Sequence, residues 1–149
     1  MVAEPETFAP YGALIRTDTA PGRAYYPEAL WWDDRPVVLS TTTVEPDTLP
    51  IHIEVLERHP HSTQTFLPAR PVRWVVVVAT DLDPTAVRAF DIPPDTAVSI
   101  GRGIWHHRLT ALGTGGSFWV LMARDHETDD EFSSLPVPVR VVEAERALP

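Results

Sequence analysis

Apolar residues along this chain come in short blocks that alternate with polar residues and do not follow a helical period. The segments Val37–Val44, Leu49–Leu56, Trp74–Thr80, Ala97–Ile100, Ser117–Met122 and Val137–Val142 are rich in Val, Ile, Thr and aromatics and are bounded by turn residues, which predicts strands. Tyr11–Arg16 and Thr85–Phe90 carry a weaker form of the same pattern, and Glu4–Tyr11 has room for a short helical turn. Sixteen prolines punctuate the 149 residues, so a long helix has no uninterrupted stretch in which to form. Many short strands and few helices predict an all-β sandwich or barrel. No repeat, low-complexity tract or linker divides the sequence, and residues 1–149 are expected to form one domain.

One strand carries directional information. Within Leu49–Glu57, Ile51, Ile53 and Val55 fall on one side and His52, Glu54 and Leu56 on the other, because successive side chains alternate. The aliphatic side is expected to face the barrel interior. Continued alternation brings Glu57, His59 and His61 to that same side and turns Arg58 outward. Polar groups on an inward face are costly unless paired or used. Pro60 cannot donate to a ladder and marks an edge or a bulge, beyond which the parity of His61 and Gln64 can shift.

Composition narrows the function classes. Hydrophobic residues make up 44% and charged residues 22%, enough apolar material for a core without covalent staples. The net charge of −9 excludes a general nucleic-acid binder, which needs a basic footprint. With no cysteine, a metal must be held by His, carboxylate or amide ligands, and a reducing compartment is consistent. The longest apolar run, Trp74–Ala79, is too short to cross a bilayer. Met1–Glu6 lacks the basic-then-apolar pattern of a leader. A soluble cytoplasmic protein is the expectation. The acidic cluster Glu127, Asp129, Asp130 and Glu131 reads as a solvated loop. Trp74, Trp105 and Trp119 are expected to pack the barrel, and Trp31 and Trp32 to cover its mouth or an interface between subunits.

Two segments could carry chemistry. In Glu57-Arg58-His59-Pro60-His61-Ser62-Thr63-Gln64, two histidines at i and i+2 of a strand point the same way and can chelate one divalent ion. In Gly103-Ile104-Trp105-His106-His107, Gly101 and Gly103 around Arg102 suggest a tight turn into a strand. Only one of His106 and His107 can then face inward. A third inward histidine would complete a ligand set with open positions for substrate.

This two-part layout resembles the cupins, in which a His-x-His followed by Glu or Gln forms one motif and a Gly-x-x-His the second. His59, His61 and Gln64 match the first, with a shortened spacing before Gln64; Gly103 and His106 match the second. Longer stretches are similar to the ureidoglycolate lyase family: Phe8-Ala9-Pro10-Tyr11-Gly12, Leu49-Pro50, Leu56 to Pro60, Ser62 to Pro68, Trp74 to Ala79, Gly103 to His107, and Leu135-Pro136. The similarity runs from Phe8 to Val142, with departures. Asp18–Thr43 is short and unlike the family, Ser40-Thr41-Thr42-Thr43 stands where members carry a polar segment with Arg, and His61 is not fixed as His in the family pattern. Met122 to His126 replaces an Asp-Arg-Gly type turn.

The resemblance implies a cupin-type double-stranded β-helix, a jelly-roll barrel with few short helices. It implies cleavage of ureidoglycolate to glyoxylate and urea, a divalent metal such as nickel, and a homodimer. It implies His59 and His106 as ligands, with Gln64 and His61 as further ligand candidates and His106 also as an acid–base group. Glu57 is the candidate base. Gln64, Arg58, Trp105 and Arg102 are candidates for holding substrate, with Arg108 a further cation for its carboxylate. Another metal-dependent cupin enzyme on a small hydroxy or amino acid, or a non-catalytic metabolite-binding cupin, would use the same fold.

Overall fold

The computed structural model describes residues 1–17, 20–124 and 130–145. A single helical turn, α1 (Pro5–Phe8), precedes eleven strands: β1 (Gly12–Ile15), β2 (Val37–Val44), β3 (Ile51–Arg58), β4 (Gln64–Pro68), β5 (Trp74–Ala79), β6 (Arg88–Ile92), β7 (Ala97–Ile100), β8 (Trp105–His106), β9 (Thr110–Ala111), β10 (Gly116–Ala123) and β11 (Glu131–Val141). They form two antiparallel sheets, one in the order β1-β7-β4-β10-β2 and the other β11-β3-β8-β5-β6, with β9 also on β5. The architecture is the expected cupin-type β-sandwich. Among the described residues no helix is long and apolar enough to cross a membrane.

Strand β5 organises the packing. Its sequence Trp-Val-Val-Val-Val-Ala is buried at every position, as β-branched residues are in a strand covered on both faces. Trp74, Val76 and Val78 join Phe66, Phe90, Val98, Phe118 and Val120 in the core between the sheets. Val75, Val77 and Ala79 enter a second cluster on the outer face of their sheet, with Ile51, Ile53, Leu56, Trp105 and Leu135.

Several expectations are corrected. Ile51 and Ile53 do not face the inter-sheet core; they belong to the outer cluster, and its next member on β3 is Leu56, three residues on instead of two. Val55 drops out at 43% exposure. The alternation breaks where the neighbouring edge strand β11 loses register, between Ser134 opposite Val55 and Val139 opposite Ile53. Pro136 and Pro138 fall in that gap and have no N–H to continue the ladder. Glu57 thus reaches the interior through a bulge beside Glu54 and Val55, not through unbroken alternation. Thr85–Phe90 divides into a 3-10 turn at Pro84–Ala86 and the start of β6. Strand β4 escapes the pattern because it is short and closes on a proline. Trp119, expected in the core, is 47% exposed on the outer face of the β10–β2 pair.

Candidate metal centre and active site

Glu57 and His106 are cross-strand partners on β3 and β8. His106 is also the partner of Val78, a member of the inter-sheet core. Paired residues share a face, so both side chains point into the sandwich. His59 follows the end of β3 in a loop. Its carbonyl accepts the Gly103 N–H at 3.0 Å, at the turn where Gly103 adopts φ +72°. The two motifs of the sequence are therefore stitched together by this backbone hydrogen bond and by the Glu57–His106 pairing.

The hydroxyls of the first motif hold this loop. Ser62 Oγ accepts the Ala123 N–H at the end of β10 (2.8 Å) and donates to the Thr63 carbonyl (2.6 Å). Thr63 donates through its N–H (2.8 Å) and its hydroxyl (3.1 Å) to the Trp31 carbonyl and accepts the Trp31 N–H (3.0 Å). The strap around Trp31 and Trp32 thus crosses the His59–Thr63 loop, with Trp32 bridged to Ser62.

His59 and His106 are buried at 4% and 1% exposure, with ring centroids 5.1 Å apart. Glu57, His59 and His106 each offer a ligand atom within 4.8 Å of the others, the one such group of three or more among the described residues. His106 Nδ1 donates to the Ile104 carbonyl at 3.1 Å. That leaves the lone pair on Nε2, which is buried without a hydrogen-bond partner and lies 3.5 Å from Glu57 Oε1. A buried nitrogen with a free lone pair and a backbone-anchored opposite nitrogen suits a metal ligand. The nitrogen and carboxylate donors, without thiolate, suit a borderline or hard divalent ion. The residues present fit a metal.

Charge is arranged to match. Burial works against ionising Glu57, but contact with His106 and the neighbouring imidazoles of His59 and His107 outweigh it and hold the carboxyl below its ordinary range. Burial first, then the neighbouring His106, holds His59 below its ordinary value against the opposing pull of Glu57, Asp130 and Gln64. An ionised carboxylate beside a neutral His59 is the state a divalent ion requires. Glu57 and His106 also line a cavity of about 210 Å³ with Val55, Leu56, His107, Arg108 and Phe132, a volume suited to a small molecule.

A ureidoglycolate lyase family model matches residues 2–142. The chain belongs to the ureidoglycolate lyase family. It is 33% identical over 148 residues to the ureidoglycolate lyase of Rhodobacter capsulatus, covering 91% of this chain and 92% of that protein. It is 33% identical over 129 residues to ureidoglycolate lyase 1 of Rhizobium meliloti, covering 78% and 76%. A 42% identical match to the ureidoglycolate lyase of Burkholderia mallei (strain NCTC 10229) is confined to 79 residues, 52% of this chain, and spans about half, 46%, of that relative's length.

Within this family chain, the other predicted residues are placed as follows. Gln64, the first residue of β4, sets Oε1 3.1 Å from His59 Nε2 and directs its amide nitrogen to Met122 Sδ, so it adjoins the centre. His61 does not: it is 46% exposed, paired with Asp33 at 3.0 Å, and outside the Glu57–His59–His106 group. The three candidate cations are engaged elsewhere. Arg58 pairs with Glu131 at 2.7 Å and lies over the Trp105 ring, both on the outer face of the sheet, so neither Arg58 nor Trp105 is brought to the centre. Arg102 stacks on Trp31 at 4.1 Å. Arg108 grips Asp47 through two hydrogen bonds of 2.8 Å. Glu57 itself pairs with neither Arg58 nor Arg73, the latter being bound to Glu143.

Asp130 was expected in a solvated acidic loop; Glu127 and Asp129 of that cluster lie outside the described residues. Asp130 instead sets Oδ1 2.9 Å from His59 Nδ1. The contact is short enough for an ion pair, but its direction is not that of a hydrogen bond, and Nδ1 has no aligned acceptor. The only sequence sign was its place in a run of acids just before a strand.

Proposed function

We propose that this chain cleaves ureidoglycolate to glyoxylate and urea, a carbon–nitrogen lyase reaction. The observation that carries the reading is the Glu57–His59–His106 group, with both histidines buried and Glu57 half-buried, in a chain matched along residues 2–142 by the ureidoglycolate lyase family. The substrate carbon bears a hydroxyl, a carboxylate and the ureido nitrogen. Collapse needs a base for the hydroxyl proton and an acid for the departing nitrogen. Glu57, ionised and at the cavity wall, takes the hydroxyl proton. The O–H electron pair becomes the carbonyl of glyoxylate, the C–N bond breaks, and its electron pair stays on nitrogen. Glu57 then returns the proton to that nitrogen, so urea leaves neutral and the carboxylate is regenerated. The Glu57 carboxylate stands 3.5 Å from His106 Nε2, which sets the base beside the residues that would hold the ion.

His59, His106 and Gln64 would hold a divalent ion, with nickel the candidate. Such an ion, when bound, lowers the hydroxyl pKa and neutralises the substrate carboxylate. This last task matters here because Arg58, Arg102 and Arg108 already have partners. A homodimer accompanies the reading: Leu39 and Trp119, exposed on one outer sheet face, offer apolar area to a second copy. A cytoplasmic setting agrees with the cysteine-free composition.

The test is urea and glyoxylate release by purified protein with nickel, manganese or zinc added. Turnover with at least one metal is expected, and its loss in His106→Ala. No turnover with any of them sinks the lyase reading, and near-normal turnover in His106→Ala removes that residue from the site.

A further inference from the structure

The His59 imidazole lies between two acceptors. Gln64 Oε1 is 3.1 Å from Nε2, and Asp130 Oδ1 is 2.9 Å from Nδ1. A neutral imidazole has one N–H, so it can satisfy only one of them. A carboxylate accepts and never donates, and it carries a full charge, so it claims the proton more strongly than an amide oxygen. The terminal torsion of an aspartate is soft, and Asp130 is 28% exposed just before β11, so its oxygen can turn into line with Nδ1. With the proton on Nδ1, the contact between His59 and Gln64 is no longer a hydrogen bond. It becomes two lone pairs facing a common point.

That distance has a second meaning. Two donors each about 2.1 Å from one cation, at right angles, sit about 3.0 Å apart. The observed 3.1 Å matches a pair of adjacent ligands. His106 is prepared in the same sense, with its proton donated from Nδ1 to Ile104 and its lone pair on Nε2. The two histidines differ in what anchors them: a backbone carbonyl for His106, a side-chain carboxylate for His59.

We propose that Asp130 is a positioning residue for the metal centre, holding the His59 proton on Nδ1 so that the Nε2 lone pair and Gln64 Oε1 converge on one divalent cation. The proposal rests on the reading of His59 and His106 as ligands. Without Asp130, Gln64 Oε1 is the stronger remaining acceptor. The proton moves to Nε2 and covers the lone pair the cation needs.

Two measurements on the full chain decide it, neither using turnover. Long-range proton–nitrogen NMR of the metal-free protein reports which imidazole nitrogen carries hydrogen. Wild type is expected to show His59 protonated on Nδ1, and Asp130→Ala on Nε2. Calorimetric titration with nickel ions alone is expected to show affinity about 10–100-fold weaker in Asp130→Ala, the usual effect of losing a partner behind a ligand. Asp130→Glu should restore part of the loss. Glu131→Ala removes an equal charge one residue away, together with the Arg58 pair, and should change affinity less than about 2-fold. An Nε2-protonated His59 in wild type overturns the proposal. So does an Asp130→Ala protein with unchanged tautomer and affinity, or an equal loss in Glu131→Ala. If wild type binds neither nickel, manganese nor zinc, the reading of the centre fails instead, and the tautomer measurement still decides the role of Asp130.

Discussion

Replacing Ser62 with alanine tests whether the His59 loop is held by buried hydroxyls. Ser62 is 1% exposed. Its oxygen accepts the Ala123 N–H and donates to the Thr63 carbonyl. In Ser62→Ala the Ala123 N–H is stranded where water cannot follow, since Ala123 is fully buried. A stranded buried donor costs about 1–3 kcal/mol. The Thr63 carbonyl also loses a donor, but an under-satisfied carbonyl costs less than an orphaned N–H. The expected loss is therefore about 1–3 kcal/mol, or about 2–4 °C of Tm per kcal/mol for a chain of this size. Urea denaturation measures it: the midpoint should fall with the slope unchanged. Ser117→Ala is the control. Its hydroxyl meets Thr43 at 2.8 Å on the exposed face, and its loss should stay within about 0.5 kcal/mol. Since Ser62 lies three residues from His59, Ser62→Ala should also weaken nickel binding. Equal stability losses in the two serine variants would refute the reasoning.

Gly103→Ala should cost about 1–2 kcal/mol, because Gly103 sits at φ +72° in the left-handed region. A Cβ there meets nothing within 4 Å, so backbone strain alone is measured; a neutral midpoint would show that the turn relaxes. Acidification should destabilise the protein below neutrality. Burial, aided by His106 and Arg108 respectively, holds His59 and His107 below the ordinary histidine value. The unfolded chain therefore takes up protons first, and stability present above about pH 6.5 is lost as pH falls. Glu57, held low against its burial by the neighbouring histidines, acts with the same sign: its contribution is present above about pH 4.3 and is lost as pH falls through its lower folded value. Urea midpoints should decline between about pH 7 and pH 5, with a shallower slope in His107→Asn; a flat wild-type profile contradicts this.

The two motifs were legible because their chemistry is local. Glu57 to Gln64 and Gly103 to His107 carry the ligand types in one short stretch each, and His106, the partner of the core residue Val78, is the buried one of the two adjacent histidines. Strands such as Val37–Val44 and Ala97–Ile100 were read at their observed limits because β-branched runs bounded by turn residues have few other uses. Parity was harder to read. The face of Ile51 and Ile53 was inverted because the register break beside Pro136 and Pro138 lies on β11, about eighty residues away in sequence. Trp119 was assigned to the core because an aromatic in a strand carries no mark of which face another sheet will cover.

Sequence alone therefore determined the all-β class, the family, and the segments that hold the histidines, since these depend on local pattern and residue type. Tertiary structure decided which acceptors the ligand candidates meet. It turned His61 to Asp33, set Gln64 beside His59, tied the three arginines to other partners, and brought Asp130 from an acidic run to the back of His59. Alternation along one strand sets direction over a few residues. Which groups converge on an imidazole depends on register between strands far apart in the chain, and one bulge can reverse it.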